Sequence, residues 1–135
     1  VVQRQANSLG YVELVYALES NLPVAAIVNK AGKPVVPSVE SVTAAAAELT
    51  TVPEDLRMSI TNAEGEGAYP MAGITWVVAR ETMNSSAKAS ALKKFLNYIL
   101  SDEAQGLANK MKYSRLPEKL LIPAREKVAK IHGKR

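Results

Sequence analysis

Between positions 68 and 80 the chain reads Ala68-Tyr69-Pro70-Met71-Ala72-Gly73-Ile74-Thr75-Trp76-Val77-Val78-Ala79-Arg80, a largely apolar run that does not alternate with polar residues. A strand that is wet on one side alternates, because successive side chains point to opposite faces; a continuous apolar strand is covered on both. The pattern predicts a buried central strand. After a polar break, Ala89, Leu92, Phe95, Leu96, Ile99 and Leu100 recur at helical spacing within residues 86–100, with Lys88, Lys93 and Lys94 outward. Such a helix covers one face of the strand, so the fold class expected is α/β.

The remaining pattern divides into short elements. Residues 1–6 read as the last turns of a helix ended by Asn7-Ser8, and Leu9-Gly10-Tyr11-Val12 as a short strand. Leu14, Val15, Ala17 and Leu18 make a helical stripe over residues 13–20, which Asn21 and Pro23 end. Val24-Ala25-Ala26-Ile27-Val28 predicts a strand, residues 29–34 a polar turn, and Val35-Val36 a brief edge pairing. Ser38 is placed to cap a helix over 39–49: its hydroxyl can accept from a free first-turn N–H, and Glu40 sits near the positive end of the helix dipole. The run of alanines at 44–47 favours that helix and lets it lie close to its neighbour.

Further on, a short strand is expected over 58–60, followed by an acidic, glycine-rich loop, Asn62-Ala63-Glu64-Gly65-Glu66-Gly67. Asn84, Ser85 or Ser86 caps the helix at 86–100, and Ser101-Asp102 starts another that runs through Met111. Tyr113-Ser114-Arg115-Leu116-Pro117 is a turn. Pro117 suits the first position of a last helix reaching Ile131, which Pro123 kinks or truly begins, and Gly133 offers a stop.

Composition adds little to this picture: 47% hydrophobic and 22% charged residues describe an ordinary globular chain and argue against disorder. No apolar run approaches the roughly 18 residues of a membrane helix. The opening Val1-Val2-Gln3-Arg4 has neither an initiator Met nor a signal-like pattern, and the expectation is that either a segment has been removed or the chain starts partway through a larger protein. Without cysteine there is neither a disulfide framework nor a thiolate metal site, which leaves the compartment open. Charge is more informative. The net of +4 is a C-terminal property: up to position 100 there are eight basic and nine acidic residues, beyond it nine and four. Such a run is ordinarily the solvated outer face of a helix, and a polyanion-binding surface is the alternative.

Candidate chemistry is sparse. The one histidine, His132, is fourth from the end, where fraying is expected, and nothing upstream has metal-ligand spacing. Gly65-Glu66-Gly67 fails as a phosphate cradle because it contains a carboxylate, lacks a third glycine and precedes a strand instead of opening a helix. Glu64 and Glu66 read as solvated charges. Tyr11, Tyr69 and Trp76 suit either a ligand cleft or, more ordinarily, core packing. No cofactor, no metal and no catalytic residue is expected.

Leu9-Gly10-Tyr11-Val12-Glu13 and Ala68-Tyr69-Pro70-Met71-Ala72-Gly73-Ile74-Thr75-Trp76 resemble the phosphate-binding proteins of bacterial phosphate ABC transporters, of the periplasmic solute-binding family. The likeness continues in order through Asn29-Lys30-Ala31-Gly32-Lys33-Pro34-Val35-Val36-Pro37-Ser38, Ala91-Leu92-Lys93-Lys94-Phe95-Leu96, Ser101-Asp102-Glu103-Ala104-Gln105 and Tyr113-Ser114-Arg115-Leu116-Pro117, so that it covers essentially the whole chain. It implies the C-terminal portion of a two-lobed, type II periplasmic-binding-protein fold with mixed sheets flanked by helices. Residues 1–70 would belong to the second lobe and 71–135 would complete the first, with a hinge crossing near 69–75. The family's phosphate-gripping motifs, a Thr/Ser-bearing N-terminal segment, an Asp-bearing loop and an Arg with a Ser-Gly-Thr loop, have no counterpart here. No ligand role is therefore carried over, and Tyr11, Glu13, Thr75 and Trp76 are the positions expected nearest the cleft or hinge.

The function implied is non-enzymatic: capture of inorganic phosphate by the intact protein for uptake through an ABC permease. The N-terminal portion of the same protein would be its partner, and the location periplasmic or extracellular, with a membrane anchor in a preceding segment as one form of that location. No nucleic-acid partner is expected. The alternative is a basic polyanion-binding module using Lys110, Lys112, Arg115, Lys119, Arg125, Lys127 and Lys130. An enzyme of the same fold has least support, since base, nucleophile and metal set are all missing.

Overall fold

A computed structural model describes residues 2–134. The chain is mixed α/β, with helices α1 (Leu14–Glu19), α2 (Val39–Ala47), α3 (Ser86–Ile99), α4 (Asp102–Lys110) and α5 (Glu118–Lys130) among the described residues. Its strands are two residues each: β1 (Ile27–Val28) pairs antiparallel with β2 (Pro34–Val35), and β3 (Thr82–Met83) pairs parallel with β4 (His132–Gly133).

The helices follow from local chemistry. Ser38 accepts from the Ser41 amide (3.0 Å) while Ser41 Oγ accepts from the Ser38 amide (2.9 Å), a reciprocal cap that satisfies two donors at the start of α2. Ser85 and Ser101 cap α3 and α4 through the amides of Lys88 and Ala104. Pro117 stands at the N-cap of α5, just outside the first helical position expected for it, and Pro123 lies inside the helix. The α3 stripe buries Ala89, Leu96 and Leu100, but Phe95 stands at the margin of that stripe and is 60% exposed.

Two apolar cores result. One gathers Ala45, Ala46, Ile60, Ala68 and Ala72, with Val42, Leu49, Ala63 and Ile74 against it. The small α2 side chains let residues 60–72 lie directly on the helix, and the Tyr69 amide donates to Ser41 O (3.1 Å). The other core gathers Ala89, Leu96, Leu100, Leu121, Val128 and Ile131 between α3 and α5. Buried Gln105 of α4 ties its edge: Nε2 donates to Ile99 O (3.0 Å) and Oε1 accepts from the Leu116 amide (2.8 Å). Lys93, expected to face solvent, instead donates to Ala129 O (2.6 Å) near the C-terminus of α5, and Arg125 donates to Leu100 O (2.8 Å) at the end of α3. Cations are favoured at both places.

The expected buried strand is not formed. Residues 68–74 pack as irregular chain against α2, and residues 75–80 form neither helix nor strand and are exposed, Val78 almost completely. An apolar run specifies burial but not the partner strands whose ladders would hold it, and the described chain offers 75–80 none. For the same reason Leu9–Val12, 24–26 and 58–60 form no strand. Of the expected helix tail at 1–6, Val1 lies outside the described residues, and Val2–Arg4 make a single 3₁₀ turn. His132, expected to fray, is held: its amide donates to Glu81 O (2.8 Å), the Lys134 amide to Met83 O (2.8 Å), and its ring lies between Lys130 O (2.8 Å) and Thr82 Oγ1 (3.2 Å).

Candidate functional site

The four expected cleft or hinge positions lie in two segments that form neither helix nor strand. Tyr11 and Glu13 precede α1, and Thr75 and Trp76 open the exposed run that follows the first core. Tyr11 is 98% exposed. Glu13 is the N-cap residue of α1, where its backbone carbonyl accepts from the Tyr16 amide (3.1 Å), and its carboxylate accepts from the Tyr113 hydroxyl (3.1 Å). That hydrogen bond, reinforced by the carboxylate's charge, holds the Tyr113 phenol above its ordinary pKa. Thr75 is exposed. Trp76 is half-exposed, its indole N–H donating to Leu56 O (3.0 Å). Among the described residues no hydrogen bond joins any two of the four.

Asn29, which the hydrophobic pattern does not mark, organises the neighbouring loop. Its buried side-chain amide donates to Gly65 O (3.1 Å), Glu66 O (2.9 Å) and Ala68 O (3.1 Å), while its oxygen accepts from the Lys33 amide (3.0 Å). One side chain thus fastens the β1–β2 turn to the acidic loop, which Lys30 also grips by pairing with Glu64. No sequence signal points to this contact, because its partners are carbonyls 36 to 39 positions away. At α2, Glu40 is held below the usual carboxylate range by backbone hydrogen bonding at the helix start and by the Ser38 hydroxyl.

Two open grooves border these segments. One of about 450 Å³ runs between residues 77–80 and the start of α3, lined by Val77, Val78, Arg80, Asn84, Ser85 and Lys88 among others. The second, about 320 Å³, lies between the end of α2 and residues 53–64. Among the described residues no three His, Asp or Glu side chains gather as a metal site requires. The basic residues proposed as a polyanion surface are partly committed within the molecule: Lys119 donates to Ala47 O and Leu49 O, Arg125 to Leu100 O, and Lys127 to Glu54. Counterion release needs cations that are free to meet phosphates, so this arrangement counts against that use.

By sequence the chain is similar to solute-binding proteins over most of its length. The particular relatives are phosphate-binding proteins PstS, as the resemblance read from residues 9–13 and 68–76 implies. The protein from Xylella fastidiosa strain Temecula1 is 36% identical over 121 residues, 89% of this chain and 33% of the relative. That of Methanocaldococcus jannaschii is 36% identical over 114 residues, 76% of this chain and 29% of the relative. The Pasteurella multocida protein is 30% identical over 115 residues, 84% of this chain and 33% of the relative. The chain spans about a third of the length of these relatives. No family model matches it.

Proposed function

We propose that this chain is the C-terminal portion of an inorganic phosphate-binding protein that captures phosphate for uptake through an ABC transporter. The observation that carries the reading is the 36% identity over 121 residues to a protein named for phosphate binding. The work is capture and release without bond making, so the protein is not an enzyme, and its place is periplasmic or extracellular, beside an ABC permease. No helix among the described residues is long and apolar enough to cross a membrane.

Two structural features support the same reading. The core is divided, with Ala72 and Ile74 still in one cluster and Met83 in the other, so the passage between the two bodies follows residue 74, just after the crossing expected near 69–75. On this reading the residues through Ile74 contribute to the second lobe and those from Met83 onward to the first, a boundary a few positions beyond the 70/71 expected from the sequence. Leu9, Tyr11, Val77 and Val78 are exposed apolar residues in segments that form neither helix nor strand. Burying a large apolar side chain is worth about 1.5–3 kcal/mol, so these segments have a strong drive to be covered, which further polypeptide of the intact protein would satisfy. Tyr11, Glu13, Thr75 and Trp76 then lie at the cleft or hinge. The phosphate-gripping groups are assigned to the remaining two thirds of the protein, because tight oxyanion binding needs converging amides, hydroxyls and a guanidinium, and the family's motifs that carry them have no counterpart in this sequence.

Titration calorimetry with inorganic phosphate tests the proposal on the full-length natural protein and on the chain alone. Saturable heat from the full-length protein and none from the chain is the expected result. Absence of phosphate binding by the full-length protein would refute the function, and binding by the chain alone would refute the placement of the ligands.

A further inference from the structure

Few side-chain hydrogen bonds reach from one body to the other among the described residues: Tyr113 donates to Glu13 (3.1 Å), ahead of α1 and outside both cores, and three further side chains of the second body meet the first. Lys119 Nζ donates to both Ala47 O and Leu49 O at 2.6 Å, Thr43 Oγ1 and Ser114 Oγ lie 2.7 Å apart, and Lys127 Nζ stands 3.3 Å from Glu54. Covalently the cores are joined through residues 75–81, which form neither helix nor strand and are exposed. Bodies with separate cores and a polar boundary reorient unless something holds them.

We propose that Lys119 is the latch that holds them. Its position is wrong for its own helix: a cation in the first turn of α5 meets the positive end of that dipole. It is right for α2, where the last carbonyls have no helical partner and the dipole is negative. A local rule broken on one element and satisfied on another marks a side chain placed for the contact between them. The other three crossings are weaker holds: the Tyr113–Glu13 hydrogen bond is exposed and reaches a residue that belongs to neither core. Lys127 and Glu54 are a solvent-exposed pair, and such pairs contribute little, while the Thr43–Ser114 contact is one neutral hydrogen bond. Release of Lys119 leaves the cores free to turn about residues 75–81. This inference rests on the divided core and does not depend on the phosphate reading.

Because the chain lacks cysteine, spin labels can be placed cleanly at Lys33→Cys in the first body and Lys94→Cys in the second, and their separation read by double electron–electron resonance. The parent is expected to give a narrow distribution. In Lys119→Met the population outside that peak rises about two- to fivefold, the size of a cation's effect at a helix C-terminus, whereas Lys119→Arg stays narrow. Lys110→Met removes the same charge without touching a crossing contact and also stays narrow. A Lys119→Met distribution that superimposes on the parent, or equal broadening in Lys110→Met or Lys119→Arg, overturns the proposal. Should Lys119→Met lose its helical circular dichroism, Thr43→Val, which leaves the latch in place, decides: a narrow distribution supports the latch and a broad one overturns it.

Discussion

Replacing Asn29 tests whether one buried amide organises the β1–β2 turn and the acidic loop together. The side chain donates to three carbonyls and accepts from one amide, and the residue is only 5% exposed. In Asn29→Ala the Ala68 carbonyl, on a residue with no exposed surface, loses its donor without access to water, which costs about 1–3 kcal/mol. Gly65, Glu66 and the Lys33 amide are partly wet and recover some of theirs. The sum is about 2–4 kcal/mol, or roughly 8–16 °C in melting temperature at about 4 °C per kcal/mol for this length. Asn29→Asp sharpens the test: it keeps the shape but turns a double donor into an acceptor aimed at three acceptors. It should destabilise at least as much as alanine at neutral pH and recover in part on acidification, when the protonated carboxyl can again donate one hydrogen. Urea denaturation followed by far-ultraviolet circular dichroism reads both variants. An aspartate variant within about 0.5 kcal/mol of the parent would refute the reasoning, because the amide would then be filling space and not donating.

Gly133→Ala should break the β3–β4 pairing, since a β-carbon there falls 2.7 Å from the Ser86 amide nitrogen and closer still to its Cα; a loss of about 1–3 kcal/mol and faster hydrogen exchange at the His132 and Lys134 amides are expected. Ser38→Ala should cost about 1 kcal/mol by thermal melting, with Ser38→Asp restoring most of it. The same Ser38→Ala change should raise the Glu40 pKa toward its ordinary value, measured by NMR titration. Because that pKa is lowered by folding, Glu40 contributes stability above the unfolded carboxylate pKa, and the contribution fades as pH falls through the folded value, so Glu40→Gln should flatten the acid side of the stability profile. Trp76, the one tryptophan, should be quenched by iodide in the chain alone and protected in the full-length protein; equal quenching in both would remove the support drawn from the exposed run.

The helices were legible because their information is local. Ser38, Ser85 and Ser101 announce their caps within three residues, and the α3 stripe places Ala89, Leu96 and Leu100 correctly inside. The run at 68–80 misled because burial and pairing are separate properties: the apolar pattern reports the first, while the second depends on strands elsewhere in space. Asn29, Gln105 and Lys119 were invisible for a related reason. Each satisfies backbone carbonyls, which every residue carries, so no spacing of side-chain types foretells the meeting. Of the candidate positions, Glu13 acquired its partner through Tyr113, a hundred residues downstream. The resemblance identified the relatives while the residues themselves named no ligand, since the expected gripping motifs have no counterpart in this sequence.

The exposed segment after Ile74 also sets how the molecule comes apart. A protease needs accessible backbone free of helix and strand, and Val77 to Arg80 offers that with an arginine at the end for trypsin to recognise. One nick there would part the two apolar clusters into separate polypeptides, each keeping its own interior, and among the described residues the side-chain hydrogen bonds left to hold the halves together would be those of Lys119, Lys127, Ser114 and Tyr113.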